Sequence, residues 1–243
     1  MGLAFLWGVV AGSSLLIGGL LAMQFRIGSR LLGLIMAFGA GVLISAVSFE
    51  LVLEAAETSL GKGGLAAGFA AGALVFFVGA WAIDRFGGEH RKRSQGAPEG
   101  ASGLAIVLGI VLDGIPESMV IGLTLLEGGG VSVAIISAVF LSNLPEAIAA
   151  TTGLERSGWA RRRIVWLWLL LVAVTAVSSL IGYGLFGDAS PWTVSFVLAF
   201  AGGAILTMLA DTMMPEAFEE SGKLVGLATA LGFALSFALT LAE

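Results

Sequence analysis

The feature that most constrains this chain is a repeated one: run after run of predominantly apolar residues, separated by short polar breaks. A helix needs about 20 such residues to cross the hydrocarbon core of a bilayer. Eight runs qualify: Leu3–Phe25, Leu31–Glu57, Gly64–Ile83, Ala101–Leu126, Val131–Leu154, Ile164–Phe186, Trp192–Glu216 and Leu224–Leu241. Composition argues against a water-soluble fold. Hydrophobic residues make up 58% of the chain and charged residues 12%, with a mean hydropathy of +1.01. Soluble domains carry about 25% charge. The expectation is an all-α polytopic membrane protein, with residues 1–243 forming a single transmembrane domain and no strand anywhere. The first run has no basic leader and is long enough to span, so it reads as a retained helix rather than a cleaved signal.

The basic residues set an orientation. With the N-terminus outside, inner loops hold Arg26 and Arg30, then Arg85, Arg91, Lys92 and Arg93, then Arg156, Arg161, Arg162 and Arg163, then Lys223. Only Lys62 falls on the outer side. Inner loops of membrane proteins carry this excess of Lys and Arg, and a seven- or nine-span count would scramble it. Both termini are therefore placed outside, in a cell (inner) membrane. Gly87–Gly100 is the one long loop, cytoplasmic and basic. The sole histidine, His90, sits in it beside Arg91 and reads as solvated. Cysteine is absent, which excludes disulfides and thiolate ligands. Glycine is abundant, at 36 residues. Gly39-Ala40-Gly41, Ala67-Gly68 with Ala71-Gly72, and Gly202-Gly203-Ala204 suit close helix packing, which in lipid relies on small side chains.

Spans 2 and 7 are alike. At one constant offset Phe38, Gly41, Glu54, Ala55, Glu57 and Ser59 match Phe200, Gly203, Glu216, Ala217, Glu219 and Ser221. Spans five apart cross the membrane in opposite senses, so the likeness predicts an inverted repeat, a common build for secondary transporters. Spans 4 and 5 form a second pair, reading Leu112-Asp113-Gly114-Ile115-Pro116-Glu117 and Leu141-Ser142-Asn143-Leu144-Pro145-Glu146. The predicted architecture is a 3+2+3 bundle.

That second pair carries the chemistry. Asp113 and Glu117 are one helical turn apart and share a face. Ser142 and Asn143 precede Glu146 by four and three residues. An ionised side chain at the bilayer centre costs about 3 kcal/mol on insertion scales. Three carboxylates on two adjacent spans multiply that cost, and no Lys or Arg lies at their depth. Protonation or a bound cation must offset it. Pro116 and Pro145 cannot donate to the carbonyls of Leu112 and Leu141, which leaves oxygen donors beside the acids. Broken backbone at this depth is tolerated where it lines a cavity or is buried in protein. Glu50 and Glu54 on span 2 fall in the outer half. Asp211 on span 7 lies deeper, and Glu216 lies toward the inner end. Glu57, Glu219 and Glu220 read more simply as solvated helix ends.

The Pro-Glu steps, the Phe-Gly-Ala-Gly-Val-Leu opening of span 2 and the Pro-Glu-Ala turn of span 7 resemble the ZIP (Zrt-/Irt-like) metal transporters. The resemblance covers most of the chain and implies eight spans in the 3+2+3 inverted arrangement. It implies Asp113, Glu117, Asn143 and Glu146 as metal ligands, with Ser142 beside them. Where the family pattern on span 4 is His-Asn-x-Pro-Glu, this chain has Asp113-Gly114-Ile115-Pro116-Glu117. Span 6 lacks the glutamate many members carry, with Ser178 or a neighbour in its place. Glu50 and Asp211 stand where spans 2 and 7 often bear histidines. One central metal is therefore expected rather than two.

The function so implied is transport of a divalent cation toward the cytoplasm by alternating exposure of the mid-membrane site, with Glu50, Glu54, Asp211 and Glu216 along the path. Zinc stands first by resemblance, together with iron. The all-oxygen donor set pulls toward manganese, since carboxylates suit harder cations. Two other readings stay open: a proton-coupled carrier of an organic solute, and a ZIP-like membrane protein that no longer transports. An enzyme is not expected, because the spans hold no histidine or cysteine. No prosthetic group and no nucleic acid is expected. The partners are the metal ion and the lipid bilayer, with a homodimer left open.

Overall fold

The computed structural model describes residues 1–58, 62–85, 103–124, 132–186 and 189–242. The Gly87–Gly100 loop, the beginning of span 4 and the turn between spans 4 and 5 lie outside the described residues. Among the described residues the fold is all-helical, without strands. The helices are α1 (Gly2–Gln24), α2 (Ser29–Thr58), α3 (Lys62–Ile83), α4 (Gly103–Thr124), α5 (Val133–Arg156), α6 (Arg161–Phe186), α7 (Pro191–Ser221) and α8 (Leu224–Thr240). Seven are long and apolar enough to cross a membrane, and α8 is a shorter apolar helix of 17 residues.

Local chemistry sets the helix ends. Ser132 and Ser190 cap α5 and α7, accepting from Ile135 N and Thr193 N at 3.2 Å, and Pro191 follows in the first turn of α7, where its missing N–H costs nothing. At the C-terminus of α5, Trp159 N donates to Leu154 O at 3.0 Å, with Gly158 in the left-handed region at φ 81°. This is the bonding of a glycine-terminated helix. Gly222, also at positive φ (62°), ends α7 with its N–H donating to Phe218 O at 2.7 Å. The beginning of α2 differs: Gly28 stands at its N-cap with no side-chain bond to the first turn.

The helices associate in two groups. In one, α1 packs along α5 and α6, and α4 packs along α6. In the other, α3 packs along α7, α8 along α2, and α2 against α7. The groups meet where α2 touches α5 and α4 touches α7. Buried hydroxyls tie the helices together. Ser179 Oγ donates to Ala4 O at 2.9 Å, and Trp168 Nε1 donates to Thr151 Oγ1 at 3.0 Å. Ser195 Oγ, near the beginning of α7, donates to Ala55 O near the end of α2 at 2.6 Å. Ser221 Oγ, at the end of α7, donates to Arg30 O at the beginning of α2 at 2.7 Å. Those two bonds make α2 and α7 antiparallel.

Both long helices are broken in the same way. Residues Val47–Leu53 of α2 and Leu209–Met213 of α7 wind as π-helix. The two segments begin at positions separated by the same offset that aligns Phe38 with Phe200 and Gly41 with Gly203. Helix α7 also runs past Glu216 to Ser221, so the apolar stretch ending at Glu216 understates the helix by a turn. A pattern read from hydropathy ends where polar residues begin, whereas backbone hydrogen bonding carries the helix on.

The matched glycines sit at matched contacts. A Cβ on Gly41 would land on Thr229 O and on Phe233 N of α8, and one on Gly203 would land on Phe69 O and near Ala73 N of α3. Backbone-to-backbone approach of this kind is what small residues permit in membrane bundles. The outward faces are apolar, as at Leu74, Phe77 and Val78 of α3, Trp166 and Leu170 of α6, and Leu227 and Leu231 of α8. Water does not cover such a surface cheaply, and lipid does. Replacing Gly203 with valine should destabilise the fold by about 1–3 kcal/mol, the range for overpacking, seen as a lower thermal unfolding midpoint in detergent. Gly226→Ala, where a Cβ meets nothing within 4 Å, should leave the midpoint unchanged.

Candidate functional site

Helices α4 and α5 are in contact and carry the two Pro-Glu steps. Their polar residues are buried: Asp113 is 2% exposed, Glu117 1%, Ser142 0%, Asn143 4% and Glu146 3%. Hydropathy predicts such residues at mid-span, and the fold places their side chains in the interior rather than toward the outer face. Pro116 and Pro145 both lie within continuous helix, so neither breaks its span.

Two glycines bring neighbouring helices onto the α5 step. A Cβ on Gly18 of α1 would lie 2.5 Å from Leu144 O and 2.9 Å from Ala147 Cβ. A Cβ on Gly39 of α2 would lie 3.2 Å from Leu141 O and 3.3 Å from Ser142 Cα. The Leu141 carbonyl, which Pro145 cannot satisfy, thus faces α2. Nothing in the sequence singles out Gly18, because its partner is more than a hundred residues away.

Glu117 lines a narrow apolar cleft with Leu43 and Val47 of α2, Ile135 and Val139 of α5, and Ile205 of α7. It therefore sits at the boundary between the two helix groups. On the other side of α4, Gly114, Ser118, Thr175 and Ser178 line a small cavity of about 20 Å³ between α4 and α6. That is room for about one water. Ser118 Oγ donates to Gly114 O at 2.5 Å. A Cβ on Gly114 would meet nothing within 4 Å. Ser142 Oγ donates to Val139 O at 3.1 Å, and the hydroxyl oxygen keeps lone pairs for another partner.

The remaining predicted residues divide. Glu50 lies in the π segment of α2 and is half-buried. Glu54 is half-buried and accepts from Thr58 Oγ1 at 3.1 Å. Asp211 lies in the π segment of α7 and is exposed, whereas Glu216 is 6% exposed. Among the described residues no three acidic or imidazole side chains converge closely enough to hold a metal by themselves. A cation held here needs neutral donors as well, such as Asn143, Ser142 or the backbone carbonyls, or a closer approach of the two helices.

Comparison with known proteins agrees with this architecture. The family model for the ZIP Zinc transporter matches residues 84–240, from the end of α3 to the end of α8. A protein of Arabidopsis thaliana named "Putative zinc transporter At3g08650" is 26% identical over 192 residues, which cover 78% of this chain. The chain spans only 30% of that relative's length. The apolar helices and the family match together make this an integral membrane protein, in a family of transporters rather than enzymes. With the match extending over more than half of its length, through both Pro-Glu steps, the chain belongs to the ZIP zinc transporter family.

Proposed function

We propose that this chain carries a divalent metal cation across the membrane toward the cytoplasm, holding it between α4 and α5. The observation that carries this reading is the burial of Asp113, Glu117 and Glu146 with Asn143 and Ser142 on two touching helices of a ZIP-family chain. Carboxylates at that depth are costly, and a cation as cargo offsets the cost in a way that structural hydrogen bonding does not. The ligands are Asp113, Glu117, Asn143 and Glu146, with Ser142 completing the set. Zinc is favoured by the family and by the name of the plant relative, and zinc accepts carboxylate ligands. An all-oxygen set is also well suited to manganese, so the site should discriminate weakly between the two.

The path runs from Glu50 and Glu54 on the outer side, through the site, to Asp211 and Glu216 on the inner side. Of the inner pair, the buried Glu216 is better placed than the exposed Asp211 to meet a cation inside the bundle. Release follows from rocking of the group formed by α1, α4, α5 and α6 against the group formed by α2, α3, α7 and α8. Repeat-built carriers alternate access in this manner. Three features support an inverted repeat: the antiparallel setting of α2 and α7, their π segments at one offset, and the matched contacts of Gly41 and Gly203. Both termini lie outside, in the cell membrane. Trp81 and Trp159 stack under Arg85 and Arg163, each 3.7 Å from ring centroid to guanidinium carbon. Aromatic and basic residues of this kind mark a membrane–water interface.

Glu117→Gln and Glu146→Gln should each lower zinc uptake into proteoliposomes by about tenfold or more, in line with the losses seen on altering metal ligation. Uptake at the parent rate in both variants would refute the site. Gly114→Asn places the amide of the family pattern where an added Cβ meets nothing within 4 Å, and helix propensity favours the change by a few tenths of a kcal/mol. Titration calorimetry should find zinc bound more tightly by this variant, at an unchanged unfolding midpoint. No metal binding by the parent chain across zinc, manganese and iron would favour the solute-carrier reading instead.

A further inference from the structure

One cavity lies apart from the cation site and has the opposite electrostatics. It measures about 390 Å³, within the range of small-ligand pockets. Its walls come from the end of α1, the link to α2, the first turn of α2 and the last turns of α5. Arg26 and Arg156, both exposed, line it together with Ser29. Its one acid, Glu155, is bonded to Arg161 Nε at 2.9 Å. Among the described residues neither Arg26 nor Arg156 has a carboxylate partner. The first turn of α2 carries no acid and no side-chain cap, so its amide dipoles add positive potential at the same place. Phe25, Leu32 and Ile148 supply an apolar wall.

A plain reading assigns the arginines to the inner membrane surface, where basic residues gather without any specific ligand. That accounts for their charge and for their common end of the bundle. It does not account for a cavity of ligand size between them. None of the proposed cation ligands or path residues lines it. A planar guanidinium pairs with phosphate through two parallel bonds, and two of them with an uncapped helix beginning make a phosphate cradle.

We propose that this cavity binds a phosphate-bearing anion, held by Arg26 and Arg156 and by the first turn of α2. Two sources share that chemistry: the headgroup of an anionic phospholipid, whose chains would lie along the apolar wall, and a soluble phosphate from the inner aqueous phase. The walls belong to α1 and α5 of one helix group and to α2 of the other. An occupant therefore ties together the two groups whose relative movement the proposed transport requires. Binding itself is independent of transport, so its test can fail while the transport reading stands, and the reverse.

The test uses the intact chain in neutral detergent, with native mass spectrometry as the readout. The probes are phosphatidic acid, phosphatidylcholine and inorganic phosphate, each alone. The expected result is one phosphatidic acid per chain in preference to phosphatidylcholine, weakened about tenfold, or 1.4 kcal/mol, in R26A/R156A. Arg26→Gln and Arg156→Gln should each show part of that loss, and R26K/R156K should recover part of it. R162A, which lies outside the cavity, should bind as the parent does. Binding of inorganic phosphate alone, lost in the same double variant, would identify a soluble source. The proposal is overturned if the parent binds neither anionic probe. It is overturned equally if R26A/R156A, or the two glutamine variants should the double fail to fold, bind phosphatidic acid like the parent at an unchanged unfolding midpoint.

Discussion

Inside a hydrocarbon layer the backbone has no water to bond to, and each unsatisfied amide or carbonyl costs several kcal/mol. The rest of this structure follows from that requirement. It holds every described span in helix. Four helices lose regular bonding within the span: α4 and α5 stay helical but withhold one backbone bond each at Pro116 and Pro145, and α2 and α7 wind through π segments. Those four helices are also the most deeply buried of the spanning helices. The more peripheral α3 and α6 have no proline and present broad apolar faces outward. The buried acids Asp113, Glu117, Glu146 and Glu216 lie on three of these helices, α4, α5 and α7, because a charged group is costly against lipid.

Packing in such a bundle cannot draw on the hydrophobic effect between helices, since lipid chains are as apolar as the side chains they replace. Close backbone approach takes its place. Gly41 and Gly203 let α8 and α3 come to within contact of the long helices, and Gly18 and Gly39 press α1 and α2 onto the Pro-Glu step of α5. The second pair connects packing to chemistry. It fixes the position of Ser142 and the Leu141 carbonyl from two sides, one glycine from each helix group. Relative movement of the groups would therefore alter the surroundings of α5 directly.

The site combines strong burial with a sparse donor set. Asp113 and Gly114 replace the histidine and asparagine of the family pattern, and Ser178 faces the same small cavity as Gly114. The cation site proposed here is therefore built from carboxylate, amide and hydroxyl oxygens. Such a set is harder than the nitrogen-containing one, and it depends more on charge than on geometry for its hold on a cation. The basic cavity at the end of α1 and α5 shows the same economy in reverse: arginines grouped around a space, with their one acid engaged elsewhere.

The sequence by itself determined the helical class, the membrane setting and the residues of the Pro-Glu steps. Those depend on apolar run length and on the cost of buried charge, which are properties of local composition. It also held the likeness of spans 2 and 7. It did not reveal that Glu216 is buried while Asp211 is exposed, because that depends on which distant helices pack against each face of α7. Nor did it reveal that Gly18 and Gly39 meet at α5, or that Arg26 and Arg156 share a cavity. Those facts join residues more than a hundred positions apart. Hydropathy decides which segments enter the membrane, but only side-chain packing between helices decides which face of each one meets its neighbour.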